Sequence, residues 1–216
     1  MNENEQYFGS RLIFDQKRKV LWSTLVDHFF NRYVSQDSTV VDLGAGWCDF
    51  INNIDCKKKI AVDLWPGISK CADVDVDVYV HSVISMPFLK SNTVDVVFAS
   101  NLVEHLTQSD FKLMLKECER ILRPNGLLIL LQPNFKYSYK SYFDDYTHVS
   151  IWTDTGITTF LKSIGWEVVV NRPKFLPLTV KSKLPVSKFL IRLYLIFPIK
   201  IFSGQMLQIF KNNALD

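Results

Sequence analysis

The residues with the clearest chemical signature form a glycine turn behind a short apolar run. The pair Val40-Val41 leads into Asp42, and Gly44 and Gly46 follow directly. A β-branched run that ends in a glycine turn predicts a buried strand that gives way to a helix. Glycine is required where the backbone adopts a positive φ or approaches a ligand closely. Such joints bind nucleotide-like cofactors at the carboxyl end of the strand, although an ordinary tight turn has the same pattern.

A second acid favours the interpretation as a cofactor site. Asp63 ends the next predicted strand, where a carboxylate can accept both hydroxyls of a ribose that lies across the glycine turn. A dinucleotide-binding enzyme is the natural alternative, and it requires a third glycine three residues after the second. Asp49 stands at that position. The sequence therefore disfavours a dinucleotide.

Two histidines are candidates for acid–base chemistry, because the unperturbed pKa of imidazole lies near neutral pH. His105 follows Glu104 after the fourth predicted strand, and His148 closes a polar loop that also holds Asp145. We predict that His105, His148 and Asp145 are catalytic. A structural role is the alternative for each histidine.

A metal-assisted site is another possible use of the same region. Asn101, Glu104 and His105 have the spacing of a ligand set for a divalent ion, and Asp144 or Asp145 could complete it. The first carboxylate of such a set is replaced here by the amide of Asn101. We therefore expect no metal.

Hydrophobic periodicity predicts the elements that position these residues. Strands are predicted at residues 39–43, 60–64, 78–82, 93–99, 127–131, 166–170 and 204–211. Helices are predicted at residues 11–34, 49–54, 109–122 and 153–164, with Ser109 and Thr153 as N-caps. The alternating acids of residues 73–77 are interpreted as a solvent-facing edge rather than a metal site. This order predicts an α/β fold with a mostly parallel sheet and helices on both faces.

The composition indicates one folded domain. The chain has 216 residues, of which 48% are hydrophobic and 22% charged, and its net charge is +3. These values are typical of globular proteins and give no electrostatic argument for a nucleic-acid partner. The four cysteines lack metal-ligand spacing, which suits a cytoplasmic protein. The polar N-terminus does not resemble a signal peptide, and no apolar run is long enough to span a bilayer.

Five motifs, in this order, make the chain similar to a known family. They are Asp42-Leu43-Gly44-Ala45-Gly46, Asp63, Met86-Pro87-Phe88 ahead of Asp95-Val96-Val97, Glu104-His105-Leu106, and Leu122-Arg123-Pro124-Asn125-Gly126. Across residues 38–170 the chain resembles class I S-adenosylmethionine-dependent methyltransferases of the small type 11 group. The resemblance implies a Rossmann-like sheet of seven strands whose last strand is antiparallel. It also implies methyl transfer from the cofactor's sulfonium to a nucleophile.

The resemblance further implies which residues bind S-adenosylmethionine. The turn and the acid that supports it would meet the methionine part, the second strand would end at the ribose, the third would end at the adenine, and the fourth would form the floor. These residues are Asp42, Gly44, Gly46, Asp63, Leu64, Ser82, Val83, Ser100 and Asn101. The family often has an acid where Ser82 stands and a glycine where Cys48 stands. The neighbouring Trp47 is predicted to pack on the following helix rather than to cover the cofactor.

The end of the chain is basic and apolar. Residues 172–211 contain eight cations and no acid. Within them, residues 184–200 predict an apolar helix with Lys188 and Arg192 on one stripe. Such a helix could contact an anionic membrane surface, which for a cytoplasmic protein is the inner face of the membrane. It could instead cover the bound acceptor. A helix buried against the domain or in a dimer, with its cations reaching solvent, is the alternative.

We therefore expect a single domain with four parts. These are an arm and helix at 1–37, a cofactor-binding core at 38–170, a basic apolar insertion at 171–203 and a final strand at 204–212.

The layout of the insertion and of the loop at 144–148 resembles bacterial members that modify surface polysaccharides. This resemblance implies a sugar, nucleotide-sugar or lipid-linked glycan acceptor that is O-methylated with the help of histidine. Nucleic acid is disfavoured, because the fourth strand lacks the Asn/Asp-Pro-Pro-aromatic motif of amino-methylating enzymes. The alternatives are methylation, including N-methylation, of another metabolite or lipid, and a non-catalytic protein that binds the cofactor as a partner of another enzyme. The oligomeric state is left open.

Overall fold

Seven strands form one sheet in a computed structural model that describes residues 16–177, 187–200 and 202–213. The strands are β1 (Thr39–Leu43), β2 (Lys58–Asp63), β3 (Val76–Val80), β4 (Val94–Ser100), β5 (Leu122–Pro133), β6 (Glu167–Pro177) and β7 (Ser203–Lys211). Their order across the sheet is β3-β2-β1-β4-β5-β7-β6. Strands β1 to β5 pair in parallel, whereas β7 pairs antiparallel with both β5 and β6. The predicted fold class is confirmed, including the antiparallel last strand.

Helices cover both faces of the sheet. In the described part of the chain they are α1 (Gln16–His28), α2 (Gln108–Ile121), α3 (Phe135–Ser138), α4 (Asp154–Ser163) and α5 (Lys188–Ile196). The helix predicted at 11–34 is shorter in the structure, because a 3-10 turn at Phe30–Arg32 replaces its last part. Its predicted beginning, residues 11–15, lies outside the described residues.

The helix predicted at 49–54 is wrong. Residues 46–53 form consecutive turns instead. Cys48 has a φ of +57°, and a left-handed residue interrupts a right-handed helix. The amide of Asn52 donates to the carbonyl of Cys48 at 3.0 Å, whereas that of Asn53 donates to Phe50 at 3.0 Å. Turns of unequal length therefore replace a regular helix.

Several element boundaries differ from prediction, and β6 extends furthest, to Pro177 instead of residue 170. Two of these differences have clear local reasons. α2 begins earlier, because its N-cap is Thr107 and not Ser109; the Thr107 hydroxyl accepts from the Asp110 amide at 3.1 Å. β5 begins earlier because Leu122 already pairs with Val94 of β4, ahead of an irregularity in the register between Val94 and Val96. The segment that was expected to end the helix and start the strand therefore belongs to β5.

Both faces of the sheet are buried under helices, and this packing holds in place the strand ends that carry the site. Val40 and Val41 are neighbours in β1, and both are fully buried because they point to opposite faces. One face packs against α2 and α4, and the other packs against α1. At the β3 edge, Lys58 and Lys59 form ion pairs with acids of the alternating run, at 3.4 and 2.8 Å. These pairs agree with the interpretation of that run as a solvent-facing edge.

Candidate active site

The glycine turn lies at the carboxyl end of β1 and is held from both sides. Gly44 has a φ of +64° and Gly46 a φ of +50°, values that favour glycine. A Cβ atom at Gly44 would come within 2.9 Å of the Leu102 side chain. The carboxylate of Asp42 accepts from the amide of Ile51. The turn is therefore a narrow cradle that a larger residue would fill.

Asp63 is fixed by the backbone of this turn. Its Oδ2 accepts from the amide of Gly46 at 2.8 Å, and its Oδ1 accepts from the amide of Trp65 at 2.8 Å. The amide of Leu64 is a third backbone donor to this carboxylate. A carboxylate can accept about four hydrogen bonds, so its remaining acceptor capacity is available to a ligand. Leu64, which is 57% exposed, lies beside this carboxylate in the chain. This arrangement fits a group that offers two adjacent hydroxyls.

The acids around the turn favour a negative electrostatic potential in the cradle. Burial raises the pKa of Asp42 well above its ordinary value, and the nearby Asp63 and Asp49 raise it further. Burial also raises the pKa of Asp63, although its backbone hydrogen bonds oppose this. Two carboxylates held close together out of water are costly unless a cation compensates them. A ligand with positive charge therefore fits the cradle.

The ends of β3 and β4 complete the same edge of the sheet. Val83 is buried, and Ser82 is half-buried with its hydroxyl accepting from the Ile84 amide at 3.4 Å. Asn101 has a φ of +50° and donates through Nδ2 to the Ser100 hydroxyl at 3.2 Å. Because β1 and β4 pair in parallel, the ends of both strands lie beside each other. The structure thus brings the predicted cofactor residues to one edge.

Gln205 is a site residue that the sequence did not indicate. Its Nε2 donates to Oδ1 of Asn101 at 2.9 Å. The two residues are distant in sequence, and they meet because the beginning of β7 lies beside the end of β5. Gln205 thereby orients the amide that the resemblance places beneath the methionine part.

Trp47 packs against the segment after β2. Its ring lies 5.3 Å from that of Trp65 in an edge-on arrangement. The predicted partner, a helix after the glycine turn, is wrong, because turns replace that helix. Trp47 also borders a cavity of about 580 Å³ with Lys19, Asp49 and Lys70 on the α1 side. None of the predicted cofactor residues lines that cavity.

The histidine predicted as a base has a defined tautomer. Nδ1 of His105 lies 3.2 Å from the carbonyl oxygen of Thr147 and 2.9 Å from the Thr147 hydroxyl. A carbonyl oxygen only accepts, so Nδ1 carries the proton. The Thr147 hydroxyl donates to Oδ1 of Asp145 at 2.6 Å. The chain Asp145–Thr147–His105 therefore leaves the lone pair of His105 on Nε2.

His148 lies next to this chain of hydrogen bonds. Its ring is 4.9 Å from the ring of His105 and 4.7 Å from that of the buried Tyr142. Burial lowers the pKa of His105, the neighbouring His148 lowers it further, and Asp145 opposes both. His105 is thus held neutral at pH 7, the form that accepts a proton.

The structure brings together a set of possible metal ligands that differs from the set suggested by the sequence. Glu104, His105 and His148 each offer one ligand atom, and these atoms lie within 4.8 Å of one another. Two imidazoles and a carboxylate suit a divalent transition metal. Asn101, in contrast, uses its oxygen for Gln205. The absence of a metal from the reaction stays a prediction.

Glu104 is a buried acid that sequence analysis placed but did not explain. It is 1% exposed, and its carboxylate oxygens have no hydrogen-bond partner in another described residue. Burial, with a smaller contribution from Asp145, raises its pKa to about 8. Glu104 is therefore mostly a neutral carboxylic acid at pH 7.

This pKa predicts a pH-dependent loss of stability. The folded pKa lies above the ordinary value of 4.5, so the stability of the wild type falls as pH rises from about 4.5 through 8. At about 1.4 kcal/mol per pKa unit, the loss is up to about 5 kcal/mol. Urea unfolding at pH 5.5, 7 and 9 measures it.

The matched variant is Glu104→Gln, which keeps the shape and cannot ionise. Its stability, compared with that of the wild type, should rise between pH 5.5 and pH 9. Parallel pH profiles for the two proteins would show that Glu104 does not titrate in this range.

Residues 41–130 match a family profile described as a methyltransferase domain. No curated protein matches the chain. A S-adenosylmethionine-dependent methyltransferase from Archaeoglobus fulgidus is 20% identical with a TM-score of 0.71, over 97% of this chain and 100% of that one. A complex of the Haloferax volcanii Trm112 methyltransferase activator contains a chain that is 16% identical with a TM-score of 0.67, over 91% of both.

A third solved structure contains an acceptor. The geranyl diphosphate C-methyltransferase of Streptomyces coelicolor, solved with Mg²⁺, geranyl diphosphate and S-adenosyl-L-homocysteine, is 12% identical. Its TM-score is 0.61, over 88% of this chain and 80% of that one. At these identities the likeness shows the fold, and the profile match shows the domain type. Both agree with the resemblance read from the five motifs, which is confirmed.

Proposed function

We propose that this chain, a S-adenosylmethionine-dependent methyltransferase whose residues 41–130 match the methyltransferase-domain family, O-methylates a sugar, a nucleotide-sugar or a lipid-linked glycan. The bound cofactor supplies an electrophilic methyl group on a sulfonium, which carries its own leaving group. The chain must align the acceptor with that methyl and remove the acceptor's proton. The observation that carries the proposal is the chain Asp145–Thr147–His105 beside the glycine turn.

The geometry fits the cofactor named by the resemblance. Asp63 would hold the two ribose hydroxyls, because backbone donors fix its carboxylate at the turn and leave acceptor capacity for a ligand. Gly44 and Gly46 would meet the methionine part, where the electronegative cradle matches its positive charge. Ser82, Val83 and Leu64 would border the adenosine, and Ser100 and Asn101 would form the floor.

His105 would be the general base. Its Nε2 holds the lone pair, and a proton taken there places positive charge on the ring, which Asp145 stabilises through the Thr147 hydroxyl. His148 would contact the acceptor or share the proton, since its ring lies 4.9 Å away. A hydroxyl acceptor needs such a base because its proton leaves as the methyl arrives.

Exposed aromatic side chains support a sugar acceptor. Tyr137, Tyr139 and Tyr146 are 44%, 57% and 73% exposed, whereas Tyr142 is buried. A sugar ring packs well on such faces. A screen of hexoses, nucleotide-sugars and lipid-linked sugars with S-adenosylmethionine, followed by mass spectrometry, tests the proposal. Addition of one methyl to a sugar hydroxyl supports it; methylation only of amines would favour the N-methylating alternative.

The proposed membrane contact concerns the outer face of α5. Phe189, Leu193 and Ile196 are 72%, 51% and 81% exposed, and at about 100° per residue they share one face of the helix. Lys188 and Arg192 are exposed beside that face. Such a face suits an in-plane helix on an anionic lipid surface. No helix in the described ranges is long and apolar enough to cross a bilayer, and residues 184–186 of the predicted contact lie outside them.

Removing the cations of α5 tests this contact. Because each cation near an anionic surface contributes about 1 kcal/mol, the double variant Lys188→Ala/Arg192→Ala should bind phosphatidylglycerol vesicles roughly thirtyfold more weakly. Flotation of the whole protein measures this, with Lys162→Ala on α4 as the control. Equal flotation of all three proteins, or none by the wild type, would contradict membrane contact.

A further inference from the structure

A second cavity lies on the side of the sheet that holds β6 and β7. It is open to solvent and has a volume of about 510 Å³, in the range of ligand sites. Among the described residues, its lining combines three lysines with hydroxyl-bearing side chains and contains no acid: Lys136, Lys174, Lys200, Tyr137, Tyr139 and Ser141. A cavity of this composition attracts an anion with several oxygens.

This cavity adjoins the predicted cofactor floor. Ser203 and Gly204, at the beginning of β7, form part of its wall. The next residue, Gln205, donates to Asn101 at 2.9 Å. A ligand in the cavity would therefore lie beside the place where the methyl group is transferred.

Contacts with neighbouring groups fix the positions of these lysines, and Lys200 donates to the carbonyls of both Tyr194 and Leu195. Lys174 Nζ lies 4.4 Å from the centre of the Tyr137 ring. Lys200 Nζ donates to the carbonyl of Leu195 at 2.9 Å, at the end of α5. Burial and the nearby Arg172 lower the pKa of Lys200, so an added anion would be favoured there. Lys136 pairs with Asp154 at 3.0 Å, which leaves Lys174 and Lys200 as the main source of positive charge.

Exposed apolar side chains lie next to the cavity in the chain, in the segment that follows α5. Phe202 lines it and is 89% exposed. Phe197 and Ile199, between α5 and Lys200, are 48% and 66% exposed. A ligand bound to the lysines would therefore lie close to an exposed apolar surface. This combination fits a molecule with a charged head and a hydrocarbon tail.

We propose that this cavity binds the diphosphate of the methyl acceptor, with the hydrocarbon of a lipid-linked sugar along α5. The inference rests on the proposed function, since it names the class of acceptor for the same site. The shared chemistry is a sugar diphosphate ester. A nucleotide-sugar offers the same diphosphate without the hydrocarbon.

Calorimetric titration tests the cavity without needing the complete acceptor. The probes are inorganic pyrophosphate, UDP-glucose and farnesyl diphosphate, each added to the whole protein. We expect pyrophosphate to bind, and Lys174→Ala to weaken it about tenfold. Lys162→Ala, an exposed lysine on α4, serves as the control and should bind like the wild type. Farnesyl diphosphate should bind more tightly than either other probe.

The outcomes separate this inference from the proposed function. S-adenosylmethionine is titrated into the same proteins, and its affinity should be equal in Lys174→Ala and the wild type. If it binds but pyrophosphate does not, or if Lys174→Ala binds pyrophosphate like the wild type, the diphosphate site is wrong and the methyltransferase proposal stands. If UDP-glucose binds most tightly, the lipid is wrong and a nucleotide-sugar replaces it. Failure to bind S-adenosylmethionine would overturn the proposed function itself.

Discussion

Replacing Asp63 with alanine is expected to weaken the binding of S-adenosylmethionine by at least about a hundredfold. The carboxylate would accept two hydroxyls of the ribose, and a hydrogen bond to a charged group contributes roughly 1.5–3 kcal/mol. The same side chain also accepts from the amides of Gly46 and Trp65, so its loss loosens the glycine turn as well. Isothermal titration of the variant and the wild type measures the difference.

Two further variants separate the ribose contact from the support of the turn. Asp63→Asn keeps the shape but loses the charge, and it should fall between the alanine variant and the wild type. Asp37→Ala removes an exposed acid outside the site and should bind like the wild type. Unchanged affinity in Asp63→Ala would show that the cofactor does not lie across the glycine turn.

Replacing His105 with alanine is expected to lower kcat by about 10²–10⁴, the usual contribution of a general base. The cofactor site does not include this side chain, so affinity for S-adenosylmethionine should stay the same. His28→Ala, on α1, is the control, and its kcat should match that of the wild type. Steady-state kinetics with an acceptor from the screen measure both.

If His105 is the base, the kcat of the wild type should change with pH in a direction that its pKa predicts. Burial and His148 lower the pKa of His105, so the neutral form that accepts a proton persists below the ordinary value of about 6.5. The rate should therefore fall only as pH decreases through that lowered pKa, and His105→Ala should lose this limb. Full activity in His105→Ala would exclude the base, and loss of wild-type activity with a chelator would indicate the metal set of Glu104, His105 and His148 instead.

Thr147 provides a test of positioning. Thr147→Val keeps the shape of the side chain but breaks the connection between Asp145 and His105. We expect a lower kcat with little change in KM, and recovery in Thr147→Ser, which restores the hydroxyl. Equal kcat in the valine variant and the wild type would show that the hydroxyl does not position the base.

The sheet was predictable because its signals are local. β1 is a β-branched run that ends at the glycine turn, and its bounds match the prediction. Strong alternation of strands and helices then leaves few topologies. The helix predicted at residues 49–54 is wrong because Cys48 interrupts it. Only glycine readily signals a left-handed position in a sequence, so a cysteine with a φ of +57° could not be foreseen.

The site was predictable only where a motif lies within one turn of a strand end. Asp42, Gly44 and Gly46 are such residues. Thr147 and Gln205 are not, because each acts on a residue of another element, His105 and Asn101 respectively. Their signal exists only after the strands are paired. The motif Asp-Asp-Tyr-Thr-His indicated Asp145 and His148, whereas Thr147, which lies between them, makes the hydrogen bond to His105.

The most direct test of the central claim is a calorimetric titration of the wild type with S-adenosylmethionine, S-adenosylhomocysteine and NAD. The glycine turn, Asp63 and the missing third glycine at Asp49 predict that the first two bind at one site per chain and that NAD does not. S-adenosylmethionine should also compete with S-adenosylhomocysteine for that site. Binding of NAD, or of neither sulfur compound, would contradict the assignment of this turn to a sulfonium cofactor.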